Sequence, residues 1–259
     1  MLKRTVQMLL VLCLITGTLW AADDRFVGKW KLNPSESRFP DEMKVAAAGA
    51  NKYAFDFGGG NPETIVVDGT DQPGIFGTTL SVTAAGPDTW KVVRKKDGRT
   101  LLIGTWTLSK DGKTLTDLYR ENQPDGSILS MDYVYQRTTA GSGFAATWDS
   151  VSEKMNSPYE LQIQPYEADG LTFITPAQHK TQNLRFDGKD YPDTDPDAPS
   201  GSVSSGRRVS ERTLEVTDKI NGKVRDTQQI ELSSDLKTLT VTVRPARQSK
   251  TSILVFDRE

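Results

Sequence analysis

The fold is decided by residues 89–120, which read TWKVVRKKDGRTLLIGTWTLSKDGKTLTDLYR. Two Asp-Gly pairs, Asp97-Gly98 and Asp111-Gly112, interrupt segments that are rich in Val, Ile, Thr and Trp. Asp-Gly tolerates the positive φ angles of a tight hairpin turn, and the flanking residue types favour extended backbone. The stretch therefore predicts three consecutive antiparallel strands, at Thr89–Lys96, Arg99–Leu108 and Lys113–Tyr119.

The same turn pattern recurs further along the chain. Asp125-Gly126 precedes a β-rich segment at Ser127–Arg137. Asn221-Gly222 separates Arg212–Ile220 from Lys223–Leu232, and Asn-Gly is the other strong signal for a two-residue hairpin. The mature chain is therefore expected to be mostly β.

Helical periodicity is nearly absent from this chain. Residues 40–50 contain three consecutive alanines and are expected to form a short helix or a loop. Asn33, followed by Pro34, is expected to cap a single helical turn. With only these two exceptions, the sequence predicts an all-β protein.

The chain repeats itself once. Four pairs of similar segments occur in the same order: 26–30 and 144–148, 67–73 and 186–192, 109–116 and 233–240, and 133–137 and 254–258. Such order indicates a tandem duplication, and small polar residues of the kind found between the copies are typical of a flexible joint. The predicted organisation is a signal peptide at 1–22, a barrel domain at 23–138, a linker at 139–143 and a second barrel domain at 144–259.

Each copy is long enough for about 8–10 strands of ordinary length. An antiparallel meander of that size can close on itself and thereby remove its exposed edges. We therefore expect two tandem antiparallel β-barrels, with a two-sheet sandwich as the alternative for each copy.

Strand alternation places one arginine on the apolar face of the last strand of each copy. These residues are Arg137 and Arg258. A charge on a core face is costly unless a partner receives it, and the face of an indole ring is a suitable partner. Trp30 and Trp148 lie in the first strands of the two copies. If the first and last strands of each copy close its barrel, Arg137 packs on Trp30 and Arg258 packs on Trp148.

These residues carry a resemblance to a known family. The aromatic-x-Gly-x-Trp opening at 26–30, followed by a closing-strand arginine, resembles the calycin superfamily, which includes the lipocalins and the fatty-acid-binding proteins. Residues 28–37 are similar to the opening of lipocalin-like domains in exported bacterial proteins of unknown function. The resemblance covers nearly all of the mature chain, once per copy, although Ala146 stands where the second glycine is expected. It implies up-and-down barrels that hold a small apolar ligand.

The N-terminus predicts export. Lys3 and Arg4 precede an apolar run at 8–15, and small residues at Ala21 and Ala22 provide a cleavage site, as in a secretory signal peptide. The apolar run is shorter than the roughly 20 residues that a membrane-spanning helix needs, so a transmembrane anchor is not expected. The protein is expected to be secreted or periplasmic after cleavage near Ala21 or Ala22.

Composition and motifs argue against several classes of function. A formal net charge of −2 provides no basic surface for nucleic acid. The only cysteine, Cys13, lies in the signal peptide, and the only histidine, His179, lies in a polar stretch without a serine nucleophile motif. The acidic residues of 187–197 lack the glycine and the glutamate of an EF-hand loop. No catalytic residue, metal site or cofactor is therefore expected.

Together these patterns favour an exported, non-enzymatic protein that binds a small apolar or amphipathic ligand in a lipocalin-like barrel. The sequence does not identify the ligand-binding residues. Trp90 and Trp106 could line a cavity, but aromatic residues on the apolar face of a strand more commonly form plain core. The alternative function is an envelope structural or interaction module with barrels filled by their own side chains, and its protein partner is unknown. A hydrolase that uses carboxylates is a weaker third hypothesis.

Overall fold

A computed structural model of the chain describes residues 24–58, 61–194, 198–247 and 250–259. The predicted signal peptide and its cleavage site lie outside these residues. Nowhere in the described part of the chain is there a helix long and apolar enough to cross a membrane. Two 3₁₀ turns, Ile75–Gly77 and Pro176–Gln178, are the helical elements of these residues.

The strands form two antiparallel ten-stranded sheets, and each sheet is nearly closed into a barrel. This arrangement confirms the expected all-β fold with two barrels. The chain begins with strand β1 (Gly28–Leu32), which belongs to the second barrel. The first barrel then consists of β2 (Glu42–Gly49), β3 (Lys52–Asp56), β4 (Glu63–Val66), β5 (Gln72–Pro73), β6 (Thr79–Gly86), β7 (Thr89–Lys96), β8 (Arg99–Leu108), β9 (Thr114–Asn122), β10 (Ile128–Arg137) and β11 (Ala146–Met155).

The second barrel combines β1 with the nine strands that follow β11. Its strand order is β14-β13-β12-β1-β20-β19-β18-β17-β16-β15, and the order in the first barrel is β4-β3-β2-β11-β10-β9-β8-β7-β6-β5. The additional strands are β12 (Glu160–Tyr166), β13 (Gly170–Thr175), β14 (Lys180–Leu184), β15 (Asp187–Pro192), β16 (Ser202–Ser210), β17 (Thr213–Ile220), β18 (Lys223–Leu232), β19 (Thr238–Pro245) and β20 (Ser252–Arg258).

Tight turns form where the sequence predicts them. Asp97-Gly98 joins β7 to β8 with φ angles of 50° and 77°, and Asn221-Gly222 joins β17 to β18 with φ angles of 50° and 75°. Two consecutive positive φ angles match the right-handed twist of the flanking strands in a two-residue hairpin. The predicted bounds of β7, β8 and β18 are confirmed to the residue.

The helix or loop expected over residues 40–50 is wrong, because β2 occupies most of this segment. Met43 and Val45 are buried while Lys44 and Ala46 are exposed, which is the period of two that a strand requires. Pairing with β3 and β11 outweighs the helix propensity of the alanines. The single turn expected after Asn33 is present at residues 34–36: the Ser35 N–H donates to Asn33 Oδ1 at 3.2 Å, and the Ser37 N–H donates to the Asn33 carbonyl at 3.1 Å.

Strands β1 and β11 have exchanged barrels. β1 lies between β12 and β20, whereas β11 lies between β2 and β10. The structure thus corrects the expected closure within each copy, and strand pairing crosses the predicted boundary at 139–143. β1 and β11 carry the same tryptophan position, so each strand is the sequence equivalent of the one whose place it takes, as in domain swapping. β10 and β11 are consecutive in the chain and pair as a hairpin, so the entropy cost of closing the loop between them is low.

Side chains bridge the remaining gap in each barrel. In the first barrel, the side-chain amide of Gln72 donates to the Val66 carbonyl and accepts from the Val66 N–H, both at 2.8 Å. In the second barrel, the Thr194 hydroxyl donates to the Thr181 carbonyl at 3.1 Å. These bonds satisfy backbone groups that an open sheet edge would leave unpaired.

Candidate functional site: two barrel cavities

The four predicted closure residues form two matched cation–π pairs, and each pair joins the two sequence copies. The guanidinium of Arg258 lies 4.0 Å from the ring centroid of Trp30, and that of Arg137 lies 4.4 Å from Trp148. Both indoles are fully buried, and each donates its N–H to the backbone carbonyl four residues earlier. Each guanidinium also donates three hydrogen bonds to backbone carbonyls. These contacts make the four residues structural.

Each barrel contains a cavity that is partly open to the surface. The cavity of the first barrel has a volume of about 370 Å³, and that of the second barrel about 280 Å³. Apolar and aromatic side chains provide most of the wall in both barrels. Cavities of roughly 300 Å³ and above are of the size that holds small organic molecules.

A row of three side chains crosses the wall of the first-barrel cavity. Trp106, Asp117 and Tyr133 are direct cross-strand neighbours on β8, β9 and β10. Strand alternation places all three on the inner face of the barrel. This row brings a carboxyl between two aromatic side chains.

Asp117 is only 7% exposed. The Trp106 indole and the Thr105 backbone lie near enough to offset part of the rise in its pKa, but its Oδ1 has no hydrogen-bond partner within the described residues. Burial raises the pKa of Asp117 to about 7, and the negative charge of Asp41 adds to the rise. Buried polar atoms in folded proteins are nearly always hydrogen-bonded, so this oxygen can accept a hydrogen bond from a molecule in the cavity.

Asp41 lines the same cavity from the segment that precedes β2. The Tyr135 hydroxyl donates to Asp41 Oδ2 at 2.8 Å, and the Asp41 N–H donates to the Ser150 hydroxyl at 2.8 Å. Burial raises the pKa of Asp41 to about 6, and the Tyr135 hydrogen bond offsets part of that rise. The cavity therefore holds two carboxyls with raised pKa values.

An arginine in the same wall is already neutralised. Arg94 donates to both carboxylate oxygens of Glu63, at 2.9 and 2.6 Å, and both side chains are largely buried. The Ile75 N–H donates to Glu63 Oε1 at 2.8 Å. Such bidentate pairing satisfies the fork of the guanidinium, so the pair contributes little net charge to the cavity.

The second-barrel cavity has a different wall. At the positions equivalent to Trp106, Asp117 and Tyr133 it carries the aliphatic row Ile230, Val241 and Leu254. It has its own buried carboxyl, Asp218, and burial raises the pKa of that group. That carboxyl is fully partnered, because it accepts hydrogen bonds from Ser204, Arg225 and Gln228 at 2.6, 3.0 and 2.9 Å.

The other residues that the sequence singled out lie apart from these cavities or in plain core. Trp90 stacks on Phe144 at 3.8 Å in the core of the first barrel. His179 is exposed and ends the 3₁₀ turn Pro176–Gln178 with a φ of 50°. In the acidic stretch, Asp187 and Asp190 are exposed on β15, while residues 195–197 lie outside the described part of the chain.

Sequence reasoning missed Asp41 and Asp117, the two carboxyls of the first cavity whose pKa values are raised. For Asp117 a signal existed, because it alternates with Leu115 and Tyr119 and so shares the inward face of β9. For Asp41 no local signal existed, because it belongs to no strand and meets Tyr135 only after the barrel closes.

The first-barrel cavity combines hydrogen-bond acceptors, aromatic faces and titratable carboxyls. It can hold an amphipathic molecule, and its carboxyls can accept hydrogen bonds or exchange protons near neutral pH. Comparisons with protein-family models, with curated proteins and with solved structures found no match. The calycin resemblance therefore stays a prediction that rests on the residues quoted above.

Proposed function

We propose that this chain is an exported, non-enzymatic binding protein that encloses a small apolar or amphipathic ligand in a barrel cavity. The observation that carries the proposal is the cavity of about 370 Å³ in the first barrel, with its largely apolar wall. A preformed apolar interior removes ligand surface from water without a conformational step, which favours binding. The export signal in the sequence and the calycin resemblance support the same conclusion.

The alternative of an interaction module with filled barrels receives less support. Such a module needs interiors packed by their own side chains, as small barrels can be. Both barrels instead contain cavities of a few hundred Å³. The first cavity also contains a buried oxygen of Asp117 that has no protein partner in the described residues, which a filled core would not favour.

Acid–base catalysis is a second candidate function, because of one specific observation. Asp41 and Asp117 share a cavity and have pKa values raised to about 6 and about 7. Carboxyls with pKa values near neutrality suit proton transfer. We favour binding over catalysis because the wall around the two groups is largely apolar.

The first test is native mass spectrometry of the full chain exported by its own host, followed by denaturing extraction of any bound molecule. We expect a stoichiometric lipid-like or aromatic adduct. Val92 and Val216 occupy equivalent positions and line the first and second cavities, so they provide a matched pair of variants. Val92→Phe should abolish the adduct while Val216→Phe retains it.

Three outcomes would count against the proposal. Retention of the adduct in both variants would place the ligand outside the barrels, and a clean apo mass in protein that also fails to take up added apolar molecules would favour the interaction module. If the extracted molecule is converted when returned to the protein, and Asp117→Asn stops the conversion, the enzyme hypothesis would replace the binding one.

A further inference from the structure

We propose that the first-barrel cavity selects a protonated amine carried on a compact aromatic or apolar body, with the ammonium group bound by Asp117. This inference rests on the proposed binding function and specifies the chemical class of the ligand. It is carried by three features of the cavity: its charge, one unfilled acceptor, and the aromatic rings in the same wall.

The charges that face the cavity are mostly negative. Asp41, Asp117 and Glu121 line it, and Arg94 is the cation in its described wall. The charge of Arg94 is matched by Glu63 in the bidentate pair described above. A negative, partly desolvated interior attracts a cation and repels an anion such as a fatty acid.

Asp117 provides the anchoring point. The neighbouring arginine on its own strand, Arg120, pairs instead with Asp132 at 3.0 Å. Oδ1 of Asp117 is thus left without a donor in the described structure, and an ammonium N–H would supply one. The contrast with Asp218, which has three donors in the second barrel, shows that the fold can fully satisfy a buried carboxyl.

Gly104 lets the carboxyl of Asp117 and the indole of Trp106 lie close to the backbone of β8. A methyl group at this position would lie 3.0 Å from Asp117 Oδ1 and 3.2 Å from the Trp106 indole nitrogen. The rings of Phe57, Trp106 and Tyr133 line the same cavity. Aromatic faces next to a carboxylate suit the body and the charged head of an aromatic amine at the same time.

The test measures how the full chain discriminates among three ligands with one phenyl body and different charge. Phenethylamine is cationic, phenethyl alcohol is neutral, and phenylacetate is anionic. Calorimetry is done above pH 7, where the carboxyl of Asp117 is ionised. A charge-assisted hydrogen bond is expected to make the amine bind about tenfold or more tightly than the alcohol, with phenylacetate weakest.

Three variants locate the residue that causes the preference for the amine. Asp117→Asn keeps the shape of the side chain and removes its charge, so the amine and the alcohol should bind to within about threefold of each other. Asp218→Asn is the matched control in the second barrel and should leave the preference for the amine unchanged. Asp41→Asn, which spares Asp117, should weaken the preference only in part.

The outcomes separate this inference from the proposed function. Equal binding of all three compounds by the unmodified chain, or an unchanged amine preference in Asp117→Asn, would overturn the amine assignment while ligand binding in the barrel stands. Loss of the preference in Asp218→Asn would move the site to the second barrel. Absence of binding by all three compounds, together with no adduct in native mass spectrometry, would overturn both proposals.

Discussion

The first and second barrels close in the same way, with an arginine over a buried tryptophan, but their cavity walls differ at equivalent positions. Where the first barrel has Trp106, Asp117 and Tyr133, the second has aliphatic side chains. Burial of Asp117 without a full set of partners is unfavourable for folding. One barrel architecture therefore accommodates two different cavity walls. The first barrel retains a buried carboxyl that destabilises the fold, and groups of this kind are common at functional sites.

The largest expected effect concerns which strands make a complete barrel. Residues 40–157 contain all ten strands of the first barrel without interruption, whereas residues 23–140 lack β11. We expect the 40–157 fragment to unfold cooperatively on its own and the 23–140 fragment to be much less stable, because its place for Trp148 is empty. Urea denaturation followed by near-UV circular dichroism measures both. Equal stability of the two fragments would mean that β1 replaces β11 when the partner copy is absent.

The second-largest effect is expected when the buried Arg94–Glu63 ion pair of the first barrel is broken. Arg94→Met leaves Glu63 buried without its cation and should reduce the free energy of unfolding by about 3–5 kcal/mol. The exposed pair Arg207–Glu215 in the second barrel is the control, and Arg207→Met should cost less than about 1 kcal/mol. Equal losses in the two variants would contradict the assigned difference in burial.

The pH dependence of stability should report Asp117. Its folded pKa of about 7 exceeds the unfolded value of about 3.9, so the folded chain binds more protons between these values. The contribution of Asp117 to the free energy of unfolding should therefore be fully present below about pH 4 and fall by at most about 1.4 kcal/mol per pH unit as the pH rises to about 7. Asp41, with a folded pKa of about 6, adds to the fall over a narrower range.

Denaturation at several pH values tests this expectation. Asp117→Asn should flatten the slope between pH 4 and pH 7. Asp68→Asn is the control, because hydrogen bonds to Thr70 lower the pKa of that exposed carboxyl, and its contribution is confined to more acidic solutions. A slope that Asp117→Asn leaves unchanged would mean that another group titrates in this range.

The smallest expected effect tests how the barrels close. A double-mutant cycle with Trp30→Leu and Arg258→Met should give a coupling of about 1–2 kcal/mol, because the guanidinium lies on the indole face. The corresponding cycle between Trp30 and Arg137 should give a coupling close to zero. The reverse result would place each arginine on the tryptophan of its own copy.

Local features of the sequence predicted many of the strands and the hairpin turns that join them. The Asp-Gly and Asn-Gly pairs placed their hairpins, because positive φ angles are a property of the residues themselves. The alanine-containing segment that became β2 was missed, since its strand pairing with β3 and β11 comes from distant residues. For the site, Trp106 was recognised as a residue that could line a cavity, while Asp41 and Asp117 were not.

The sequence by itself determined the strand-rich character, the repeat, and the two residue types that close each barrel. Only the tertiary structure decided that Arg258 packs on Trp30 and Arg137 on Trp148, because β1 and β11 carry the same motif and their places depend on the pairing of the whole sheet. It also decided that Asp41 and Asp117 face one cavity. Closure of a barrel brings together residues that are far apart in the chain, and no local sequence pattern predicts which of them come into contact.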